Sequence, residues 1–296
     1  MSTPAASTQC AACGKSSNDL KTCNACKLVK YCNVTCQKAH RPKHKTACKN
    51  RAAELHEKAL FSPPPPKQDC PICCLPLPIS KSEIQYQYCC GQHLCKGCIF
   101  FHMKEFSNQE VYNCPFCRMP ATIDDDAEYL RRIHARIDAG DAEAMNCLGC
   151  KYSDGEKGLT KNHQKAMEWW NKAAKLGSST ANRNIAAAYY DGRGVPKDPK
   201  KEKYYHEIAA MARHVSSRSV LGTIEYNEGH FDRAYKHWVM AAKAGCTDSL
   251  KEVQEGFENR FVTKEQYEET LVAFKDSVDE MQSVQRDHAV AFTSLC

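Results

Sequence analysis

No stretch of this chain is apolar for long enough to cross a bilayer. Mean hydropathy is −0.60, and every hydrophobic run falls short of the about 20 residues that a spanning helix needs. The opening MSTPAASTQ lacks the charged-then-apolar pattern of a secretory signal, so the expected compartment is the cytoplasm, with the nucleus as second choice. Thiols stay reduced there, which counts against a disulfide framework. The sequence also has no glycine-rich phosphate loop, no Ser-His-Asp set and no methyltransferase motif. Acidic residues are scarce at the start. Residues 1–69 hold 12 Lys+Arg against 4 Asp+Glu, a net +8 in a chain of net +6, while residues 70–120 net +1 and residues 121–296 net −3. Taken alone, that excess suggests a nucleic-acid arm.

What is abundant is cysteine. The 296 residues suggest about two domains, but 16 of the 20 cysteines lie between Cys10 and Cys117. Two small cysteine-rich modules and a larger ordinary domain fit that distribution better. The first cluster reads Cys10-x2-Cys13, Cys23-x2-Cys26, Cys32-x3-Cys36 and His44-x3-Cys48. A short pair on a tight turn offers two ligands to one metal, and two pairs complete a tetrahedron, so eight ligands imply two zinc ions. Segments this short bury too little apolar surface to fold alone, and the metal would supply the folding energy.

The run from Tyr31 through Cys32, Cys36, Gln37, His40, His44 and Cys48 closely resembles the MYND zinc finger, over residues 10–48 and at every ligand position. The resemblance implies interleaved sites: one zinc at Cys10, Cys13, Cys32 and Cys36, another at Cys23, Cys26, His44 and Cys48. It leaves His40 as a solvated or supporting imidazole. It also implies binding of short proline-containing peptides, in a groove to which a Gln after the sixth ligand and a Trp after the first His contribute. Gln37 is present; Arg41 stands at the Trp position and removes an aromatic anchor. The basic residues Lys38, Arg41, Lys43, Lys45, Lys49 and Arg51 read as a solvated face, because no aromatics interleave as a base-stacking platform needs.

Residues 49–69 read as a linker. A short helix over 49–61 carries an apolar stripe of Ala52, Leu55, Ala59 and Phe61. Pro63 to Pro66 stop that helix and stiffen the chain into a spacer.

The second cluster reads Cys70-x2-Cys73, Cys89-Cys90, Cys95-x2-Cys98 and Cys114-x2-Cys117, again four pairs for two metals. Cys70-Pro-Ile-Cys73 and Cys114-Pro-Phe-Cys117-Arg118 resemble a RING finger over residues 70–118. Gln92 occupies the usual His position and His93 comes one residue late, so the middle is more similar to all-cysteine RING fingers. That resemblance implies one zinc at Cys70, Cys73, Cys95 and Cys98 and another at Cys89, Cys90, Cys114 and Cys117, with His93 as substitute if Cys89 or Cys90 falls short. Cys74 lies outside the pattern and reads as a packing residue. RING fingers do no covalent chemistry; they dock a ubiquitin-conjugating enzyme and restrain its ubiquitin, a proximity effect. Ile72, Phe101 and Pro115 match the apolar docking positions and Arg118 the cation that contacts both partners.

Beyond Asp124 the texture becomes helical. Ala144, Leu148, Tyr152 and Gly155 recur as Ala181, Ile185, Tyr189 and Gly192; Ala166, Trp170, Ala173, Ala174 and Gly177 recur as Ala234, Trp238, Ala241, Ala242 and Gly245. The period is about 36 residues, and the pattern resembles Sel-one-like repeats, helix pairs of the tetratricopeptide type. Small alanines let helices cross closely, aromatics fill between pairs, and glycines close the turns. In the third copy Glu225 stands where Tyr is expected. Asp124 to Asp126 predict an acidic helix start ahead of Leu130, Ile133 and Ile137. Thr263-x2-Gln266 predicts a capping box, opening a terminal helix with Tyr267, Leu271, Phe274, Val278 and Met281 on one stripe. Cys147-x2-Cys150 is a lone pair on a helix and reads as packing.

The expectation is therefore a mostly α protein: two zinc-stabilised fingers, MYND and RING, at 10–48 and 70–118, then an α-solenoid of helix-turn-helix repeats at 124–296. The first functional expectation is a ubiquitin ligase whose RING recruits a conjugating enzyme carrying ubiquitin, while repeats and MYND finger hold protein partners. The alternative is a non-catalytic zinc adaptor, and a third reading is a nucleic-acid-associated regulator. The ligands disfavour that third reading. Seven thiolates and two Zn²⁺ take the first +8 to +5, eight thiolates and two Zn²⁺ take +1 to −3, and the formal total falls to about −1. Protein partners, and no membrane, are expected.

Overall fold

The computed structural model describes residues 8–106, 112–121 and 125–293, so Asp124, the expected start of the solenoid, and Cys296 lie outside it. The chain forms two compact units, Met1–Ser62 and Pro63–Cys296.

In the first unit, β1 (Lys21–Thr22) and β2 (Lys30–Tyr31) pair antiparallel, with Lys21 opposite Tyr31. Helix α1 (Val34–Leu60) follows at once; Asn33 caps it, its Oδ1 accepting from the Cys36 amide at 2.9 Å. The expected helix over 49–61 is thus only the second half of a 27-residue helix. Pro42 lies inside it and lacks the amide that would bond one turn back. That proline, amid ligands and lysines, hides the continuity in the sequence. The expected stripe also differs: Ala59 is exposed, Ala52, Leu55 and Phe61 are half-buried, and Leu60 is the buried residue.

The second unit opens with the second cysteine module. β3 (Ile84–Gln87) and β4 (Gln92–Cys95) form an antiparallel hairpin in which Tyr86 faces His93, and α2 (Lys96–Glu105) runs on from β4. Cys70, Leu94, Cys95, Cys98 and Ile99 make its small core.

The helical region begins at α3 (Asp126–Asp138), capped by Asp125. It continues through α4 (Ala142–Asp154), α5 (His163–Lys175), α6 (Ser179–Asp191), α7 (Pro199–Met211), α8 (Val215–Asn227), α9 (Phe231–Lys243) and α10 (Thr247–Glu258). Each helix from α4 to α9 packs on its successor, most extensively α4 on α5, α6 on α7 and α8 on α9. Ala144, Ala166, Ala173, Ala181, Ala188, Ala209, Ala234 and Ala241 are fully buried, as close helix crossings require. Two glycines each let a tryptophan approach a neighbouring helix closely. A Cβ at Gly149 would stand 2.6 Å from Trp170 Cδ1, and one at Gly222 2.3 Å from Trp238 Nε1.

Glu225, in place of the expected tyrosine, is completely buried. It receives Arg233 Nε and His230 Nδ1, both at 2.9 Å, and Lys203 Nζ at 3.1 Å. Burial opposes its ionisation, but the bonds from Lys203 and Arg233 outweigh it and hold the carboxyl below its ordinary range.

The capping box forms as expected: Thr263 Oγ1 accepts from the Gln266 amide at 3.2 Å and Gln266 Oε1 from the Thr263 amide at 3.1 Å, opening α11 (Lys264–Met281). Of the expected stripe, Tyr267, Phe274, Val278 and Met281 are half-buried and Leu271 is exposed, while Thr270 and Ser277 are the buried residues. Nor is α11 the last helix. α12 (Val284–Thr293) comes after it and folds back onto α2.

The second cysteine module is built into the solenoid. Tyr86 Oη donates to Asp141 Oδ2 at 2.7 Å, and the same carboxylate receives Arg136 Nη2 at 2.7 Å and caps α4 through Oδ1. Tyr88 meets Tyr129 edge to face at 4.6 Å. The proline run is no free spacer either: Arg213 donates to the Pro65 carbonyl, and Lys67 pairs with Glu280 at 2.7 Å.

Gly222→Ala should cost about 1–3 kcal/mol in urea unfolding through overpacking against Trp238, although alanine is the better helix former. Glu225→Gln should cost about 1–3 kcal/mol near neutral pH. A carboxyl whose folded pKa lies below its unfolded value of about 4.3 contributes stability fully above that value and loses it as pH falls through the folded pKa. The gap between wild type and variant should therefore close on acidification below about pH 4.

Candidate metal centres

Four sets of ligand atoms converge, each within 4.8 Å: Cys10, Cys13, Cys32 and Cys36; Cys23, Cys26, His44 and Cys48; Cys70, Cys73, Cys95 and Cys98; and Cys89, Cys90, Cys114 and Cys117. Each set joins a pair from one segment with a pair from another, and within each module the sets interleave along the chain. In the first unit, α1 carries Cys36, His44 and Cys48, so one helix serves both centres.

Tight turns prepare the pairs. In each Cys-x2-Cys of Cys10, Cys23, Cys70 and Cys114, the carbonyl of the first cysteine accepts the amide four residues on, at 2.8–3.0 Å. The donors are Gly14, Lys27, Cys74 and Arg118, and all four lie in the left-handed region at φ between 55° and 73°. Cys74 is thereby explained: it closes its turn and is exposed, not packed. Gly14 is the one sequence signal for this turn, since only glycine takes that conformation without strain.

The sulfur separations distinguish metal from disulfide. Four sulfurs at about 2.3 Å from a tetrahedral zinc stand about 3.8 Å apart, against about 2.05 Å across a disulfide. Here Cys13–Cys32, Cys10–Cys32 and Cys23–Cys48 are 3.7 Å apart, Cys70–Cys98 and Cys73–Cys95 3.9 Å, and Cys89–Cys117 3.4 Å. His44 Nε2 approaches Cys26 Sγ at 3.2 Å. Every described cysteine is free.

Crowding splits the acidities of the thiols. Backbone bonding at Cys13 and Cys32 lowers Cys10 to about 6. At Cys36 the bond with Cys32, then burial, raises the thiol to about 12. Burial and the bond with Cys23 raise Cys48 to about 11. The last protons of each set leave readily only when a cation replaces them, which a divalent metal does. The donor chemistry, separations and turns all fit zinc.

His40 supports the second centre. It stacks on the His44 ring at 5.5 Å between centroids, and its Nδ1 meets the hydroxyl of buried Tyr31 at 3.1 Å. His93 lies in β4 with its ring 5.3 Å from that of Tyr86, while Cys89 and Cys90 are the residues that join Cys114 and Cys117. A fifth cluster, Glu225, Glu228 and His230, already holds Lys203 and Arg233 as its cations.

Of the expected docking residues, Ile72 and Phe101 are each 40% exposed, Pro115 is half-buried, and Arg118 is exposed with Nη1 3.4 Å from His102 Nδ1. Phe116 and Met119, which no motif position singles out, are also exposed. Cys147 and Cys150 are half-buried and line a cavity of about 460 Å³ with Asn146, Arg183 and Asn184; Asn184 Nδ2 donates to Asn146 Oδ1 at 2.9 Å. Among the described residues, no helix is long and apolar enough to cross a membrane.

Residues 10–48 match the MYND finger family model, and residues 142–178 and 179–214 each match that of the Sel1 repeat. The chain thus carries a MYND finger, which binds zinc, and a solenoid of Sel1 repeats. Chitin synthase regulatory factor 4 of Schizosaccharomyces pombe is 25% identical over 128 residues, which are 43% of this chain and 20% of that protein, so the chain spans about a fifth of that curated relative's length. A Sel1 repeat protein from Oxalobacter formigenes superimposes with a TM-score of 0.45 at 21% identity, over 53% of this chain and 66% of that one. A protective antigen present in uropathogenic Escherichia coli strains, displaying an SLR fold, gives 0.33 at 20% identity, over 56% and 43%.

Cys74→Gly should leave metal content unchanged and raise resistance to unfolding by up to about 1 kcal/mol, because a left-handed residue loses its Cβ strain. Cys73→Ser, one residue away, should lose metal. Metal analysis beside a denaturation curve reads both.

Proposed function

We propose that this protein is a zinc-finger adaptor that brings protein partners together, with four zinc ions, two in each cysteine module, and with the cytoplasm as its place of work. The observation that carries this reading is the pairing of a MYND finger with Sel1 repeats, two modules suited to holding other proteins. Solenoids of stacked helix pairs present extended surfaces for such contacts. The name of the fission-yeast relative, a regulatory factor, is in keeping with a role exerted on other proteins. On the MYND finger, Lys38, Arg41, Lys45 and Lys49 are exposed along α1 at helical spacing, beside Gln37. That face suits a proline-containing peptide with acidic flanks.

The second reading, a RING-type ubiquitin ligase, is favoured by one observation: the interleaved sets of residues 70–117 leave Ile72, Phe101, Phe116 and Arg118 all exposed. Such a surface would dock a conjugating enzyme carrying ubiquitin.

Two measurements separate the readings. Zinc-loaded protein titrated onto an array of proline-containing peptides should bind a subset saturably, and Gln37→Ala should weaken that binding about tenfold, the worth of one hydrogen bond. No binding to any peptide would remove the peptide role. In an autoubiquitination assay across a panel of conjugating enzymes, the adaptor reading expects no chains; chains that disappear in Ile72→Ala would establish the ligase instead.

A further inference from the structure

We infer that Arg286, on the C-terminal helix, is the outer-sphere cation of the Cys70–Cys73–Cys95–Cys98 centre, and that metal in this centre holds α12 on the second module. The inference rests on the zinc reading of that module.

Arg286 is 7% exposed. A guanidinium removed from water needs acceptors and, above all, an opposing charge. Its Nη1 donates to the Pro76 carbonyl at 2.7 Å and the Met281 carbonyl at 2.5 Å; its Nη2 lies 3.4 Å from the Leu75 carbonyl and 3.4 Å from Cys73 Sγ. The carbonyls are neutral, and among the described residues no carboxylate pairs with it. The anion within reach is the thiolate of a metal ligand. Four thiolates around Zn²⁺ leave a charge of −2, so a buried cation against one sulfur stabilises the loaded centre and is stabilised by it.

A second observation is independent of charge. A Cβ on Gly97, inside the Cys95-Lys96-Gly97-Cys98 segment, would stand 2.8 Å from Arg286 Cγ and 2.9 Å from its backbone nitrogen. The backbone of α12 therefore lies directly against the segment that carries two of the four ligands. Glycine there permits an approach that any other residue would block. Ala289, one turn further along α12, is also buried.

Emptying the centre frees the Cys73–Pro76 turn and the Cys95–Cys98 segment, the surfaces on which Arg286 and the α12 backbone are seated. The docking of α12 then weakens by the factor that α12 contributes to metal affinity, because coupling between two binding events is reciprocal. The third centre thus ties the end of the repeat region to the finger, closing a connection between residues about 200 positions apart.

The test monitors zinc transfer from the full chain to a chromogenic chelator, with hydrogen exchange of residues 284–293 as a second readout. Cys73→Ser identifies which release phase belongs to the third centre. In Arg286→Gln that phase should accelerate about 10- to 100-fold while the others keep their rates. Exchange along α12 should rise even in the loaded protein, and Arg286→Lys should recover part of both effects. Gly97→Ala, which leaves the arginine intact and favours helix, should reproduce them by pushing α12 away. Stripping zinc from the wild type should expose α12 to the same degree. A loaded module whose release is indifferent to both Arg286→Gln and Gly97→Ala, or an α12 that stays protected once zinc is gone, overturns the outer-sphere role alone. A second module that holds no zinc overturns the zinc reading and this inference with it.

Discussion

Thiols crowded to within 4 Å of one another are the constraint on which both cysteine modules depend. Neither module buries an apolar core of ordinary size. The core cluster of the first module is three cysteines and Tyr31; that of the second is three cysteines with Leu94 and Ile99. Segments with so little apolar burial cannot offset the entropy of ordering their chains. A divalent cation in exchange for thiol protons would close them, and the turns at Gly14, Lys27, Cys74 and Arg118, left-handed without strain only at the glycine, aim the sulfurs.

The solenoid obeys the opposite logic, with alanines at its crossings and tryptophans close against glycines. The two logics meet within the second unit. Asp141 at the start of α4 is shared by Tyr86 of the finger and Arg136 of α3, and Arg286 brings the last helix to the third centre. The finger thereby touches α3 and α4 at one end of the repeat array and α12 beyond the other. On the proposed adaptor reading, that seating would spare partners of the finger and of the repeats part of the entropic cost of mutual orientation.

Much of this is legible in the sequence, for reasons that differ by element. Ligand spacing survives as pattern because metal geometry demands it, so all sixteen expected donors are found in four converging sets. The Thr263–Gln266 box and the alanine and tryptophan periods are local and equally plain. The length of α1 is hidden by Pro42, because proline normally ends a helix. Cys74 suggests packing by its chemistry, whereas its position is set by backbone conformation. The embrace of the finger by α12 is not legible at all. It rests on one arginine and one glycine nearly 190 residues apart, and neither belongs to a repeating pattern. Glu225 breaks the aromatic pattern, yet it is buried in full charge balance, with partners supplied by α7 and α9.

The most direct test of thiolate closure is X-ray absorption at the zinc edge on the full chain. The expected result is four zincs per chain with a first shell of sulfur at about 2.3 Å, in a ratio near fifteen sulfurs to one nitrogen as the converging donors dictate. A shell rich in oxygen or nitrogen, or sulfurs paired at about 2.05 Å as disulfides with no zinc bound, would contradict it.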